Sequence, residues 1–213
     1  IFSRLEEEHR KFLLQTAFLP VLNLNYAESL TLNKKSEKIL SYLVRSNYFT
    51  NAYATNEAPG YEYHPLFRQF LFEKAKVELS SQEILQIQKK TAQLLVKDNE
   101  LELAAPLLLE LKEWQPLVHT ILSLSPQLLA QGRHQYLIHW LDKIPPSLID
   151  EVAWLMYWKG IALMPMQPEK SYKLLSSAYK QFIQDDDLTG ACMTWAGAVE
   201  SLFHSFSNLE RMD

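Results

Sequence analysis

Apolar side chains recur at intervals of three and four residues through most of this chain, the pattern of helices that bury one face. The run "EEEHRKFLLQTAFLP" predicts a helix of about three turns ending before Pro20, with Phe12, Leu13 and Thr16 along one side. A short helix is expected near "NYAESLTL". In "KKSEKILSYLVRSN", Ile39, Leu40, Leu43 and Val44 form one stripe, while Lys34, Lys35 and Lys38 fall on the side facing water. Between residues 48 and 64 the helical period gives way to aromatic and β-type residues split by Glu57-Ala58-Pro59-Gly60. That pattern predicts two short strands, 48–54 and 60–64, joined as a hairpin. Another helix opens at Pro65, where proline suits the first turn, with Leu66, Phe67, Phe70 and Leu71 as its expected buried stripe.

From residue 80 the chain reads as helical throughout. "SSQEILQIQKKTAQLLVKD" has Ser80 or Ser81 as its cap and Glu83 in its first turn. "ELELAAPLLLELKEW" and "WQPLVHTILSL" read as a helical pair, and "HQYLIHWLDKIPP" as a helix stopped by Pro145-Pro146. In the last part, Trp158-Lys159-Gly160-Ile161-Ala162 returns 37 residues later as Trp195-Ala196-Gly197-Ala198-Val199, with Ala178 and Phe182 between. This is close to the tetratricopeptide (TPR) type of repeat, in which a small residue at a helix contact admits a bulky one opposite. Such units bury their faces by stacking, so the array is expected to continue past Asp213. The expected fold is mainly α. It comprises a winged-helix-like module with a short β-hairpin over residues 1–79, an α-helical arm over 80–146, and the beginning of a TPR-like superhelix of α-α repeats over 147–213.

Composition narrows the function classes. The 213 residues carry a net charge of −4, with +1 over residues 1–80 and −5 over 81–213, so no global field draws the chain to nucleic acid or anionic lipid. The lone Cys192 excludes an internal disulfide and leads us to expect a reducing, cytoplasmic setting. No apolar run is long enough for a membrane span. The chain starts at Ile1 without a signal-peptide order and stops at "NLERMD" without a helix stop signal, so it reads as a segment of a longer protein.

No catalytic motif emerges. The five glycines are isolated, and no phosphate-loop, H-E-x-x-H or C-x-x-C pattern occurs. His134 and His139 stand five apart, poorly placed to share a helix face, so no metal site is assigned. Asp185-Asp186-Asp187 lacks the alternating order of a calcium loop and is read as a cap for the helix after it. Trp154 and Trp158, four apart, are read chiefly as repeat core, with a ligand or partner surface as the alternative. If the helix at 35–46 entered a DNA major groove, Lys34, Lys35, Lys38 and Arg45 would be its phosphate contacts, a modest footprint.

In order along the chain, "FLLQTAFLP", "ILSYLVRSNYF" and "YEYHPLFRQFLFEKA" resemble the winged-helix module of bacterial STAND ATPases, the signal-transduction ATPases with numerous domains. They are most similar to the large LuxR-type transcriptional regulators of the maltose-regulon activator kind. "AAPLLLELKEWQPLVHTILSLSPQLLAQGRHQYLIHWLDKIPP" is similar to their helical arm, and "WLMYWKGIALMPMQPEKSYKLL" to the start of their TPR-like sensor. The resemblance implies a regulatory segment, not an enzyme by itself. It would be coupled to an upstream nucleotide-binding domain that holds ATP or ADP, while the chain itself carries no cofactor. An inducer or inhibitory protein would act on the helical region, activation would bring self-oligomerisation, and DNA would be met only by a separate C-terminal domain.

The histidine of "YHPLF" matches the family's histidine that reaches the nucleotide phosphates, which makes His64 the residue carried over as nucleotide-sensing. A position just before a helix, near free N–H groups and the positive helix end, suits a phosphate. The other reading of His64 is that it closes the hairpin and bonds to nearby backbone. Two further readings of the whole chain stay open: a helical-repeat scaffold for a protein partner with no nucleotide role, and a DNA-binding winged-helix protein.

Overall fold

In the computed structural model, residue 2, residues 5–54 and residues 59–209 are described, the side chains as far as Ser205. The chain forms two compact units, residues 1–111 and 112–213. Each is taken in turn.

The first unit opens with α1 (Glu7–Thr16), β1 (Leu22–Asn23), α2 (Leu24–Thr31) and α3 (Ser36–Arg45). The expected face of α1 is buried: Phe12, Leu13 and Thr16 are all at most 2% exposed. α2 is started by Asn23, whose side chain accepts the Tyr26 N–H at 2.8 Å, an Asx cap. α3 buries Ile39, Leu40 and Leu43 as its period demands, with Val44 half-buried. The hairpin strands are β2 (Thr50–Tyr53) and β3 (Gly60–Tyr63), each within the expected range. Of the expected turn, Glu57 and Ala58 lie outside the described residues.

The sheet has a third strand that periodicity did not reveal. β1 pairs antiparallel with β3, Leu22 opposite Tyr61, so β3 is central in the order β1-β3-β2. Two residues are too few to show an alternation, which is why the strand is silent in the sequence.

α4 (Pro65–Glu78), α5 (Ser81–Lys97) and α6 (Leu101–Glu110) complete the unit. The expected stripe of α4 needs correction. Phe67, Leu71 and Ala75 are buried, but Leu66 is 76% exposed and Phe70 39%. The helix turns its 67–71–75 row inward, so the neighbouring 66–70 row faces out. α5 begins at Ser80 with a full capping box: the Ser80 hydroxyl accepts the Glu83 N–H at 3.2 Å, and Glu83 accepts the Ser80 N–H at 2.8 Å.

The second unit is all-helical among its described residues: α7 (Trp114–Ala130), α8 (His134–Leu141), α9 (Pro146–Glu151), α10 (Ala153–Leu163), α11 (Pro168–Gln184) and α12 (Leu188–Leu209). α7 runs past its expected end and through Pro126, forgoing one backbone hydrogen bond there. Pro145-Pro146 does not stop α8, which has already ended at Leu141. Pro146 instead opens α9, the position where its missing N–H costs nothing. The third aspartate of the triplet caps α12: its Oδ1 accepts the Gly190 N–H at 2.8 Å.

α10, α11 and α12 pack as consecutive neighbours, and the repeated glycines sit at their contacts. A Cβ on Gly160 would lie 2.7 Å from Leu175 Cγ, and one on Gly197 would lie 2.9 Å from Ile161 Cδ1 and 3.3 Å from Leu175. Leu175, fully buried, is thus seated on both glycines.

Candidate functional site

The site is built where β3 hands over to α4. His64 is the N-cap of α4, and its Nδ1 accepts the Leu66 N–H at 3.3 Å. An accepting Nδ1 requires the proton of a neutral ring to sit on Nε2, the nitrogen at the far side. The residue is exposed, so that Nε2–H donor is presented to solvent at the positive end of a fourteen-residue helix. The expectation of free N–H groups beside it does not hold. Pro65 has none, Leu66 donates to His64 Nδ1, and the N–H groups of Phe67 and Arg68 both donate to the His64 carbonyl, at 2.8 and 2.9 Å. An anion here would be met by the imidazole and the helix dipole rather than by a nest of amides.

His64 is tied to the other strand as well. Its own N–H donates to the Phe49 carbonyl at 2.8 Å, and the two rings stand 6.4 Å apart. The backbone reading of this histidine and the anion reading are therefore compatible, because they use different atoms of the residue.

Two hollows border the first turns of α4. One, of about 450 Å³, is lined by Phe2, Phe49, His64, Leu66, Phe67 and Phe70. The other, of about 480 Å³, is more polar, with Tyr53, Tyr61 and Arg68 in its wall. Arg68 is the member that sequence reasoning passed over. Its Nε donates to the Ala17 carbonyl at 2.9 Å and its Nη2 to the Leu19 carbonyl at 2.7 Å, satisfying groups left open where α1 ends. Its guanidinium also lies 5.4 Å from the Phe72 ring centroid. Deeper in, the Tyr63 hydroxyl meets Thr16 Oγ1 at 2.7 Å; Thr16 donates to the Phe12 carbonyl, so the phenol is the donor of the pair. Burial pushes the Tyr63 pKa far up, the Arg68 charge opposing it only in part.

The remaining candidates are spread out. Lys34 and Lys38 are exposed at α3, but Lys35 is paired with Glu8 at 3.2 Å, and the Nε of Arg45 donates to the Ser41 carbonyl of its own helix. In the second unit Trp154 and Trp158 are half-buried. Trp154 meets Phe182 of α11 edge-on at 4.9 Å, and Trp158 meets Tyr157 at 4.8 Å.

Fold and site together define a mainly helical chain that begins with a winged-helix region whose β3–α4 junction presents an exposed histidine. Residues 1–83 match the family model described as the MalT winged helix domain. A comparison with curated proteins returns no match. The first unit thus contains a MalT-like winged-helix region, which points to a regulator-like role. Among the described residues no helix is long and apolar enough to cross a membrane.

Proposed function

We propose that the chain is the regulatory part of a nucleotide-switched bacterial transcriptional regulator of the LuxR type, cytoplasmic, and not an enzyme by itself. In this reading a separate STAND-type ATPase domain holds ATP or ADP. The winged helix reads the bound state through His64, and the helical arm and TPR-like repeats receive an inducer or inhibitory protein, with self-oligomerisation following release.

The observation that carries the reading is the division of labour within one imidazole, found inside a MalT-like winged-helix region. Nδ1 holds the helix cap, while Nε2–H is left to donate to a phosphate oxygen. Loss of that single charge-assisted bond on domain separation would be a switch of modest size, about 1.5–3 kcal/mol.

The two roles can be separated. Asparagine is a good cap but lacks the distal donor. With the chain joined to its nucleotide-holding domain, His64→Asn should keep the thermal stability of the wild type and weaken ADP binding by about tenfold or more. Unchanged ADP affinity in that variant would sink the proposal.

A helical-repeat scaffold without a nucleotide role is the second reading, favoured by the apolar surface of α12, where Trp195 is 62% exposed and Phe203 70%. It predicts partner binding that Trp195→Ala abolishes and that nucleotide leaves untouched.

A further inference from the structure

Phe49 is left unexplained by a phosphate contact at His64. Its φ of 50° lies in the left-handed region, which bulky side chains avoid, and Asn47 two residues before it is at 52°. The conformation is held in place. The Tyr48 N–H donates to the Leu43 carbonyl at 2.9 Å, and the Phe49 carbonyl accepts from His64. Yet the ring so placed is not consumed by the core: Phe49 remains 51% exposed. The backbone thus holds this ring at the surface rather than in the core.

The ring forms one wall of the apolar hollow of about 450 Å³. Phe67, 5.7 Å away, is its floor, and the exposed Leu66 and Phe70 continue the wall along the outward row of α4. Two hydrogen-bond donors border this patch. They are the His64 imidazole and the Lys74 ammonium, which lies 6.0 Å from the Phe70 ring centroid. Among the described residues no carboxylate lines the hollow, and Glu73 next to Lys74 is bound to Lys76 at 2.8 Å.

We propose that this hollow is a docking site for a protein segment that presents an aromatic or aliphatic side chain flanked by carboxylates. The anchor fills the space between Phe49 and Phe70, and the flanking carboxylates meet Lys74 and His64, which is the charge complement of the rim. A single-stranded nucleic acid fits less well, since that mode needs a line of cations along the backbone and this rim offers two donors. The inference goes beyond the nucleotide reading and does not depend on it.

The test uses the 213-residue chain and two synthetic probes, acetyl-Asp-Glu-Phe-Leu-Asp-Glu-amide and acetyl-Lys-Lys-Phe-Leu-Lys-Lys-amide, with backbone NMR shifts as the readout. The acidic peptide should bind saturably, shift the amides of Phe49, Leu66 and Phe70, and weaken with added salt. Leu66→Ser and Phe49→Gly should each weaken it by about fivefold or more. Glycine accepts φ 50° without steric cost, which offsets part of the lost ring packing, and the exposure of Leu66 makes Leu66→Ser the variant that leaves the fold intact. The proposal is overturned by absence of acidic-peptide binding, by equal binding of the basic peptide, or by an oligothymidylate that displaces the acidic one. It is also overturned if sedimentation shows a dimer that Leu66→Ser dissolves, since a second copy would then be the occupant.

Discussion

Arg68 donates to the carbonyl of Leu19 across 49 residues of sequence, at 2.7 Å, and with its second bond to Ala17 fastens the N-terminal half of α4 to the tail of α1. The fork geometry of guanidinium is what allows one side chain to reach both carbonyls. Arg68→Met should lower the unfolding free energy of the first unit by about 1–3 kcal/mol, because two carbonyls lose their donors. Arg68→Lys should recover only part of that loss. Urea unfolding followed by circular dichroism checks both, and a full rescue by lysine would contradict the two-carbonyl account.

Leu175 seated between Gly160 and Gly197 predicts a coupled pair of substitutions. Gly160→Ala puts a methyl group 2.7 Å from Leu175 Cγ, and overpacking of that kind costs about 1–3 kcal/mol. In a background of Leu175→Ala the same change should cost much less, since the obstructing atoms are gone. A double-mutant cycle by thermal unfolding measures the difference, and additivity would remove the glycine–leucine contact as the cause.

The tyrosines set an alkaline limit. Burial is the first cause for both Tyr63, whose pKa is pushed far up, and Tyr26, pushed up to about 12. A group whose folded pKa is raised contributes stability that is whole below its unfolded value, about 10 for tyrosine, and is lost as pH rises through the folded value. The first unit should therefore hold its melting temperature to about pH 10 and lose it above. Tyr63→Phe should flatten that loss while lowering stability at neutral pH by about 1 kcal/mol for the missing Thr16 bond.

At low pH the sign reverses. Hydrogen bonds from Ser80 hold Glu83 below the usual carboxylate range, and Asn33 and Lys35 do the same for Glu8. Depressed carboxylates contribute stability that is present above their unfolded pKa of about 4.3 and is lost as pH falls through the folded value. Ser80→Ala should lower the melting temperature at neutral pH and reduce its further drop between neutrality and acid.

Duplex binding by the chain alone should be weak. Lys34 just before α3 and Lys38 within it are exposed, but Glu37 stands between them in sequence and Lys35 is paired with Glu8. Exchanging both exposed lysines for alanine should leave an electrophoretic shift assay unchanged; steep salt-dependent binding lost on that exchange would favour the DNA-binding reading instead.

The helices were legible because a buried face repeats itself: Phe12-Leu13-Thr16 and Ile39-Leu40-Leu43 announce their elements before any contact is known. The hairpin was legible from its aromatic strands. Elements defined by a single distant partner were not. β1 exists because Tyr61 lies opposite Leu22, and two residues show no period. The rotation of α4 was also hidden, since Leu66 and Phe70 are as apolar as Phe67 and Leu71, and only packing chooses between adjacent rows. At the site, the histidine before Pro65 drew notice as a residue type in a suggestive place. Phe49 could not, because nothing in a phenylalanine signals a left-handed backbone.

The central place of β3 has a temporal consequence. Pairing Leu22 with Tyr61 closes a loop of nearly forty residues, an entropic cost met late because the partner strand is made late. A chain leaving the ribosome has α1, α2 and α3 in hand while β1 still waits with its edge unpaired. Only when residues 60–63 arrive do sheet, cap and α4 form, so the histidine and the frame that aims it appear in the same folding step.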